Sequence, residues 1–224
     1  EKLVVLTQKA KQEISKNLKK NISIKVIPCA ADYNLFDYKK FYHKKNIIKK
    51  SIGIDSKDTV VCYLGSLGGV YNVNYILNNF LFLKKNISNI SFLVITNNPQ
   101  VIKNELKKSK YSLLKKKLKY FFLERESLPK YLSIADMGLS FIQPGYSRIA
   151  QSPTRIAEFL SMGIPIVCNK KIGDINEIVS LLKVGMMIDL DSKKNNLKIL
   201  DFLKNLEIFS KEDIRAKSKK IYSL

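Results

Sequence analysis

From about residue 58 onward, short apolar runs alternate with stretches of helical apolar spacing. Residues 60–64 (VVCYL) read as a buried strand, and 73–83 carries apolar residues at helical intervals. A second strand is expected at 91–96. Pro99 then opens a Lys-rich helix at its favoured first position. Residues 118–122 read as a third strand, with a short helix from Leu128-Pro129 to Ala135. A fourth strand follows at 137–142. Ser152 and Pro153 are expected to open a helix through Met162, Ser as cap and Pro in the first turn, with Gly163 ending it. A fifth strand at 164–168, a helix at 174–182, a sixth strand at 185–188 and a helical tail complete the pattern.

Strands alternating with helices predict a doubly wound, Rossmann-like α/β domain: a parallel sheet with helices on both faces. The strands are apolar almost throughout, as burial on both faces requires. Ligands of such sheets bind outside the carboxyl ends of the strands. Residues 3–6 read as a strand, 8–18 as a helix and 24–27 as a strand. The stretch after Pro28 is polar, basic and aperiodic, and reads as a linker.

The chain has 224 residues, 46% of them hydrophobic, enough for a sizeable core; disordered and collagen-like classes are excluded. No apolar run approaches the ~18–20 residues of a membrane span. The N-terminus has no signal-peptide layout and does not begin with Met, so a fragment is expected. Forty basic residues against 19 acidic ones give a net charge of +21. Codon bias with solvated Lys faces and a selected basic surface both account for that excess. Only Arg125, Arg148, Arg155 and Arg215 are Arg, and three of these fall between 125 and 155. Where Lys is the default cation, Arg marks positions that need a planar fork for phosphate or carboxylate. Cys29, Cys62 and Cys168 are too scattered for a disulfide framework or a zinc site, so free thiols are expected. The single His43, in a Lys-rich stretch, reads as a surface residue.

Three strand-end loops carry candidate chemistry. Gly65, Ser66, Gly68 and Gly69 follow the 60–64 strand, and their backbone can approach an anion or simply turn tightly. No P-loop Gly-Lys-Ser/Thr follows, and the Rossmann dinucleotide spacing is missing. Arg125 stands after the third strand, flanked by Glu124 and Glu126. The third loop runs through Ser147 and Arg148 into Ser152, Pro153, Thr154 and Arg155. Helix-terminal amides, the helix dipole and Arg155 together suit a diphosphate. Glu158, one turn further in, can accept hydrogen bonds from two vicinal ribose hydroxyls, or be a solvated helix position.

This stretch resembles the nucleotide-sugar-binding half of the group 1 (family 4) glycosyltransferases, which have the two-domain GT-B fold. The matching residues are Glu158-Phe159-Leu160-Ser161-Met162-Gly163, then Pro165-Ile166-Val167, then the turn Gly173-Asp174-Ile175-Asn176-Glu177. Ile27-Pro28 with Asp32 and Phe36 is similar to the family's interdomain segment. Glu158 matches the second Glu of the Glu-x7-Glu motif, so the resemblance implies ribose contact. The first Glu falls at Ala150, and the family's Arg and Lys after the first strand align near Ser66 and Val70. The chain departs from the pattern at all three. Arg125, Arg148 and Arg155 are the candidates to supply the absent positive charge.

The resemblance implies a domain plan. Residues 1–28 would be the end of an acceptor domain, 29–57 an interdomain linker, 58–208 the donor-binding domain and 209–224 a crossover helix. It implies a sugar nucleotide as donor, a glycan or lipid-linked acceptor, and transfer with retention. Neither a metal nor another cofactor is expected: Asp189-Leu190-Asp191 has a metal-ligand spacing but follows the last strand. Nucleic acid is not expected as a partner. The cytoplasm is the expected location, with an anionic inner membrane face as a docking surface for the Lys excess. The alternative is a non-catalytic sugar-nucleotide-binding subunit or a relic lacking turnover.

Overall fold

In a computed structural model, residues 2–17 and 22–223 are described. The chain opens with β1 (Lys2–Val5), α1 (Gln8–Asn17) and β2 (Ser23–Val26), the strands paired in parallel. The expected helix over 8–18 is described as far as Asn17, and Leu18 lies outside the described residues. After a 3-10 turn (Tyr38–Lys44) comes α2 (Lys45–Ser51). The main domain then runs β3 (Thr59–Leu64), α3 (Val73–Asn86), β4 (Ile90–Ile95), α4 (Pro99–Glu105), β5 (Leu118–Phe121), α5 (Leu128–Leu132), β6 (Met137–Ser140), α6 (Thr154–Ser161), β7 (Ile166–Asn169), α7 (Ile175–Leu182), β8 (Gly185–Ile188) and α8 (Asn195–Lys204). The helix α9 (Lys211–Tyr222) follows.

β3 to β8 form one parallel sheet in the order β5-β4-β3-β6-β7-β8. This is the doubly wound class, with the order reversing between β3 and β6. Both faces are covered. Val61 and Tyr63 of β3 face α3, α4 and α8, through Ile76, Phe80, Ile102 and Ile199. Val60 and Cys62 face the other layer, through Ile156, Phe159, Leu160 and Val179. Successive strand residues thus point into two cores, which is why the strand sequences are apolar without alternation. Gly138 lets α6 approach β6 closely: a Cβ there would stand 2.8 Å from the Phe159 ring.

The stretch from 29 to 57 carries more structure than its aperiodic sequence predicts. Tyr33, Phe36, Ile48 and Ile54 are buried in the α6–α9 core. Arg215 of α9 clamps this stretch to α6 by donating hydrogen bonds to the carbonyls of Tyr33, Phe36 and Ser161. The three cysteines are free, Cys62 and Cys168 fully in the core.

Candidate functional site

At the point where the sheet order reverses, the loops leaving β3 and β6 frame a cavity of about 430 Å³. Leu64, Gly65, Ser66 and Tyr71 come from the β3 side, Ile142 from the β6 side. The run from Ala150 to Arg155, with Glu158, closes it through the start of α6.

Arg155 is held from three directions. Its Nη1 donates to the Tyr63 hydroxyl at 3.0 Å, and that hydroxyl donates on to the Ser66 carbonyl at 2.6 Å. The guanidinium carbon lies 4.5 Å from the Tyr71 ring centroid and 5.4 Å from that of Tyr63. The guanidinium also lies against Gly65, whose φ is +124°. No carboxylate pairs with Arg155 among the described residues. A cation fixed by aromatic faces and one hydroxyl keeps its charge available to a ligand. Burial raises the Tyr63 hydroxyl above its ordinary value and Arg155 pulls it back, so Tyr63 stays a neutral phenol.

Glu158 is 7% exposed, which rules out the solvated-helix reading. Burial pushes its carboxyl up, while Arg125 and Arg155 pull it down. Its carboxylate accepts no hydrogen bond from any other described side chain or loop amide, and it faces the cavity.

One expectation at this helix fails. Ser152 does not cap α6. Pro153 takes the cap position (φ −67°, ψ 114°), and among the described residues no side chain bonds the first-turn amides. The helix starts one residue later than Ser152 can serve, and the Ser152 hydroxyl instead accepts the Cys29 N–H at 3.0 Å. The amides of Thr154 and Arg155 therefore open the helix without a carbonyl partner.

The structure gathers Gly65, Ser66, Ser152, Pro153, Thr154, Arg155 and Glu158 around one cavity. Gly68 and Gly69 stand apart, at a hairpin tip where Gly68 and Tyr71 exchange both backbone hydrogen bonds at 3.0 Å. Ser147 and Arg148 lie in the 3-10 turn Tyr146–Ala150 outside the cavity wall. The Arg148 carbonyl accepts the Gly173 N–H. Arg125 is exposed, 5.7 Å from the Phe36 ring centroid, and acts on Glu158 through its charge. Sequence reasoning missed Tyr63 and Tyr71. The available signal was an aromatic at each end of the Gly-rich loop, which read simply as strand and loop residues.

Next to this cavity, α1 abuts the main domain. Asp174 accepts the N–H groups of Gln8 (2.5 Å) and Lys9 (3.2 Å), and Thr7 donates to the Ile149 carbonyl at 2.6 Å. A larger cavity of about 600 Å³ lies between the two parts and shares Leu6, Gln151 and Ser152 with the first.

Residues 44–220 match the family described as glycosyl transferases group 1. The chain belongs to this family. HepE from Anabaena, solved with UDP and glucose, superposes with a TM-score of 0.74 at 14% identity, over 98% of this chain and 58% of that one. A glycosyltransferase from Rickettsia africae gives 0.74 at 16% identity, over 100% and 60%. The C-terminal domain of a group 1 family protein from Francisella tularensis gives 0.60 at 14%, over 86% and 94%. No curated protein sequence matches the chain. These likenesses establish the GT-B-type architecture of this group 1 chain, which spans little more than half the length of the first structures it matches. Among the described residues, no helix is long and apolar enough to cross a membrane, and no three His, Cys, Asp or Glu cluster as metal ligands would.

Proposed function

We propose that this group 1 chain binds a nucleoside-diphosphate sugar in the switch-point cavity and serves its transfer, with retention, to a glycan or lipid-linked acceptor. The observation that carries this reading is the unneutralised Arg155 guanidinium beside free α6 amides and a buried, unbonded Glu158. The diphosphate would lie against Arg155 and the Thr154 and Arg155 amides, where charge developing on the leaving group meets preset donors without a metal. Glu158 would accept from the ribose hydroxyls. A recess of about 190 Å³ at the ends of β3, β4 and β5 shares Leu64, Gly65 and Ser66 with the main cavity and adds Phe122 and Leu123. It suits the flat face of a nucleobase.

The missing cations at Ser66 and Val70 support a substitution: Arg155 reaches the Gly65 loop from α6 and supplies the charge there. Arg125 reinforces it through the field at Glu158. The catalytic groups that would activate the acceptor belong to no residue assigned here. A peripheral site at an anionic inner membrane face is consistent with the +21 charge.

Calorimetry with UDP, GDP, ADP and CMP tests the reading. Binding of one nucleoside diphosphate, lost in Arg155→Ala and Glu158→Ala, is the expected result. Folded Arg125→Ala, Arg148→Ala and Arg155→Ala proteins that all keep full affinity would refute the charge substitution. Binding without turnover, in a protein that also carries its acceptor domain, would favour a non-catalytic sugar-nucleotide-binding subunit.

A further inference from the structure

The six-stranded sheet carries a second polar cavity at its other end. Gly65 leaves the carboxyl end of β3, whereas the carboxylate of Asp136 accepts the Val60 N–H at 2.8 Å near the amino end of the same strand. Beside Asp136, Tyr38, Tyr42, His43, Lys45, Ser133 and Lys211 wall a cavity of about 390 Å³.

The charges here do not balance. Lys45 is paired with Asp136 at 2.6 Å, and the Ser133 hydroxyl donates to the Lys130 carbonyl at 2.6 Å. Among the described residues no carboxylate lines the cavity. Lys211, half-buried at the start of α9, donates no side-chain hydrogen bond and pairs with no carboxylate among the described residues. It faces the Tyr38 ring, whose centroid is 5.9 Å from its Nζ. A half-buried ammonium has three N–H donors to satisfy, and one aromatic face satisfies them poorly. Burial brings this ammonium down to about 8, Lys45 pushes the same way and Asp136 opposes; at neutral pH it remains protonated. Tyr42 and His43, edge to face at 5.4 Å, add an O–H and ring nitrogens at the mouth. The donors of the Tyr38–Lys44 turn, beside an uncompensated cation from α9, suit an oxyanion such as phosphate.

We propose that this cleft is a second ligand site, holding a phosphate group between Lys211, His43 and Tyr42 at the end of the domain remote from the nucleotide cavity. The site stands independently of the donor reading. Its phosphate is either free in solution or the headgroup of a lipid.

His43 is the one His of the chain, so its ring proton resonance is a local reporter that ligand in the nucleotide cavity does not touch. Inorganic phosphate at pH 7 is expected to shift this resonance saturably, equally in wild type and Arg155→Ala, and at least tenfold more weakly in Lys211→Gln. Sulfate, whose charge is constant over the range, should lose more than about tenfold in affinity between pH 7.5 and 9.5 as Lys211 deprotonates. Lys211→Arg should keep its affinity across that range, because a guanidinium stays charged. Vesicles containing phosphatidylglycerol separate the sources: retention that depends on Lys211 identifies the headgroup, and indifference to vesicles alongside phosphate binding identifies the free ion. A His43 resonance unmoved by both phosphate and vesicles, or moved equally in folded Lys211→Gln, overturns the proposal.

Discussion

The Arg155 guanidinium occupies the space that a side chain at Gly65 would need: a Cβ there would stand 2.5 Å from Cζ and from Nη2. The two residues come from different elements, one leaving β3 and one opening α6, and the cavity exists in this form because residue 65 has no side chain. Gly65→Ala should therefore act twice. A φ of +124° is strained for Ala, at roughly 1–3 kcal/mol of stability. The methyl group also expels Arg155 from its position between Tyr63 and Tyr71. Urea unfolding should show the first effect, and calorimetry with the preferred nucleoside diphosphate a loss of at least tenfold in affinity. A destabilised variant with unchanged affinity would mean that binding does not use Arg155 in this position.

Tyr63→Phe keeps the ring under Arg155 and removes one oxygen. That oxygen links the Arg155 Nη1 to the Ser66 carbonyl in a buried setting. Losing a hydrogen bond to a charged group in such a place costs about 1.5–3 kcal/mol. Nucleotide affinity should fall less than in Arg155→Ala, because Tyr71 still stacks on the guanidinium. Tyr63→Phe combined with Tyr71→Ala should then approach the full Arg155→Ala loss. If the double variant binds as wild type does, the aromatic pair does not position the cation.

Glu158 offers a test with opposite signs for stability and binding. Its carboxyl is raised in the folded protein, so the folded state holds the proton more tightly than the unfolded chain. Stability from this group is then greatest at low pH and falls as pH rises from the ordinary carboxylate range through the raised value, staying level above it. Glu158→Gln removes that loss. The variant should be more stable than wild type at pH 7 and match it more nearly at pH 4, while losing nucleotide affinity. Urea unfolding at several pH values checks the first part and calorimetry the second.

Much of this was legible in the residues. The two-face burial of strands such as β3 and β4 makes their apolar runs continuous, and the loop-to-helix start at 152–155, singled out in the sequence, lines the switch-point cavity. Two things were hidden. The segment from 29 to 57 reads as a linker because it is polar, basic and aperiodic. Lys49 is 4% exposed and donates to the carbonyls of Ser56 and Asp58, and Arg215 supplies donors to three further carbonyls from a helix far along the chain. Two of the three Arg215 acceptors, Tyr33 and Phe36, lie in this segment, the third being Ser161 of α6, and such backbone-directed cations leave no periodic trace. The Arg155–Tyr71 stack was hidden for a related reason: it depends on how the 65–71 loop folds back, which Gly68 and Tyr71 decide by pairing with each other.

Asp174 gives the last prediction, and it concerns how α1 is held. Asp174 precedes α7 but makes no capping hydrogen bond to that helix. Its two oxygens instead accept the first N–H groups of α1, from Gln8 and Lys9, across 166 and 165 residues of sequence. Thr7 satisfies a third, that of Ala10, while donating to Ile149 beside the switch-point cavity. A carboxylate at a helix N-terminus also opposes the positive end of the helix dipole. Asp174→Ala should cost about 0.5–2 kcal/mol, the range for loss of an N-cap, and Asp174→Asn less because one acceptor oxygen remains. Hydrogen exchange should accelerate at Gln8 and Lys9 in the Ala variant, with β3 and β4 amides unchanged. The neighbouring loop 146–152 should loosen with α1, so nucleotide affinity should weaken severalfold although Asp174 does not line that cavity. Exchange at Gln8 and Lys9 that stays as slow as in wild type would show that Thr7 alone holds the helix.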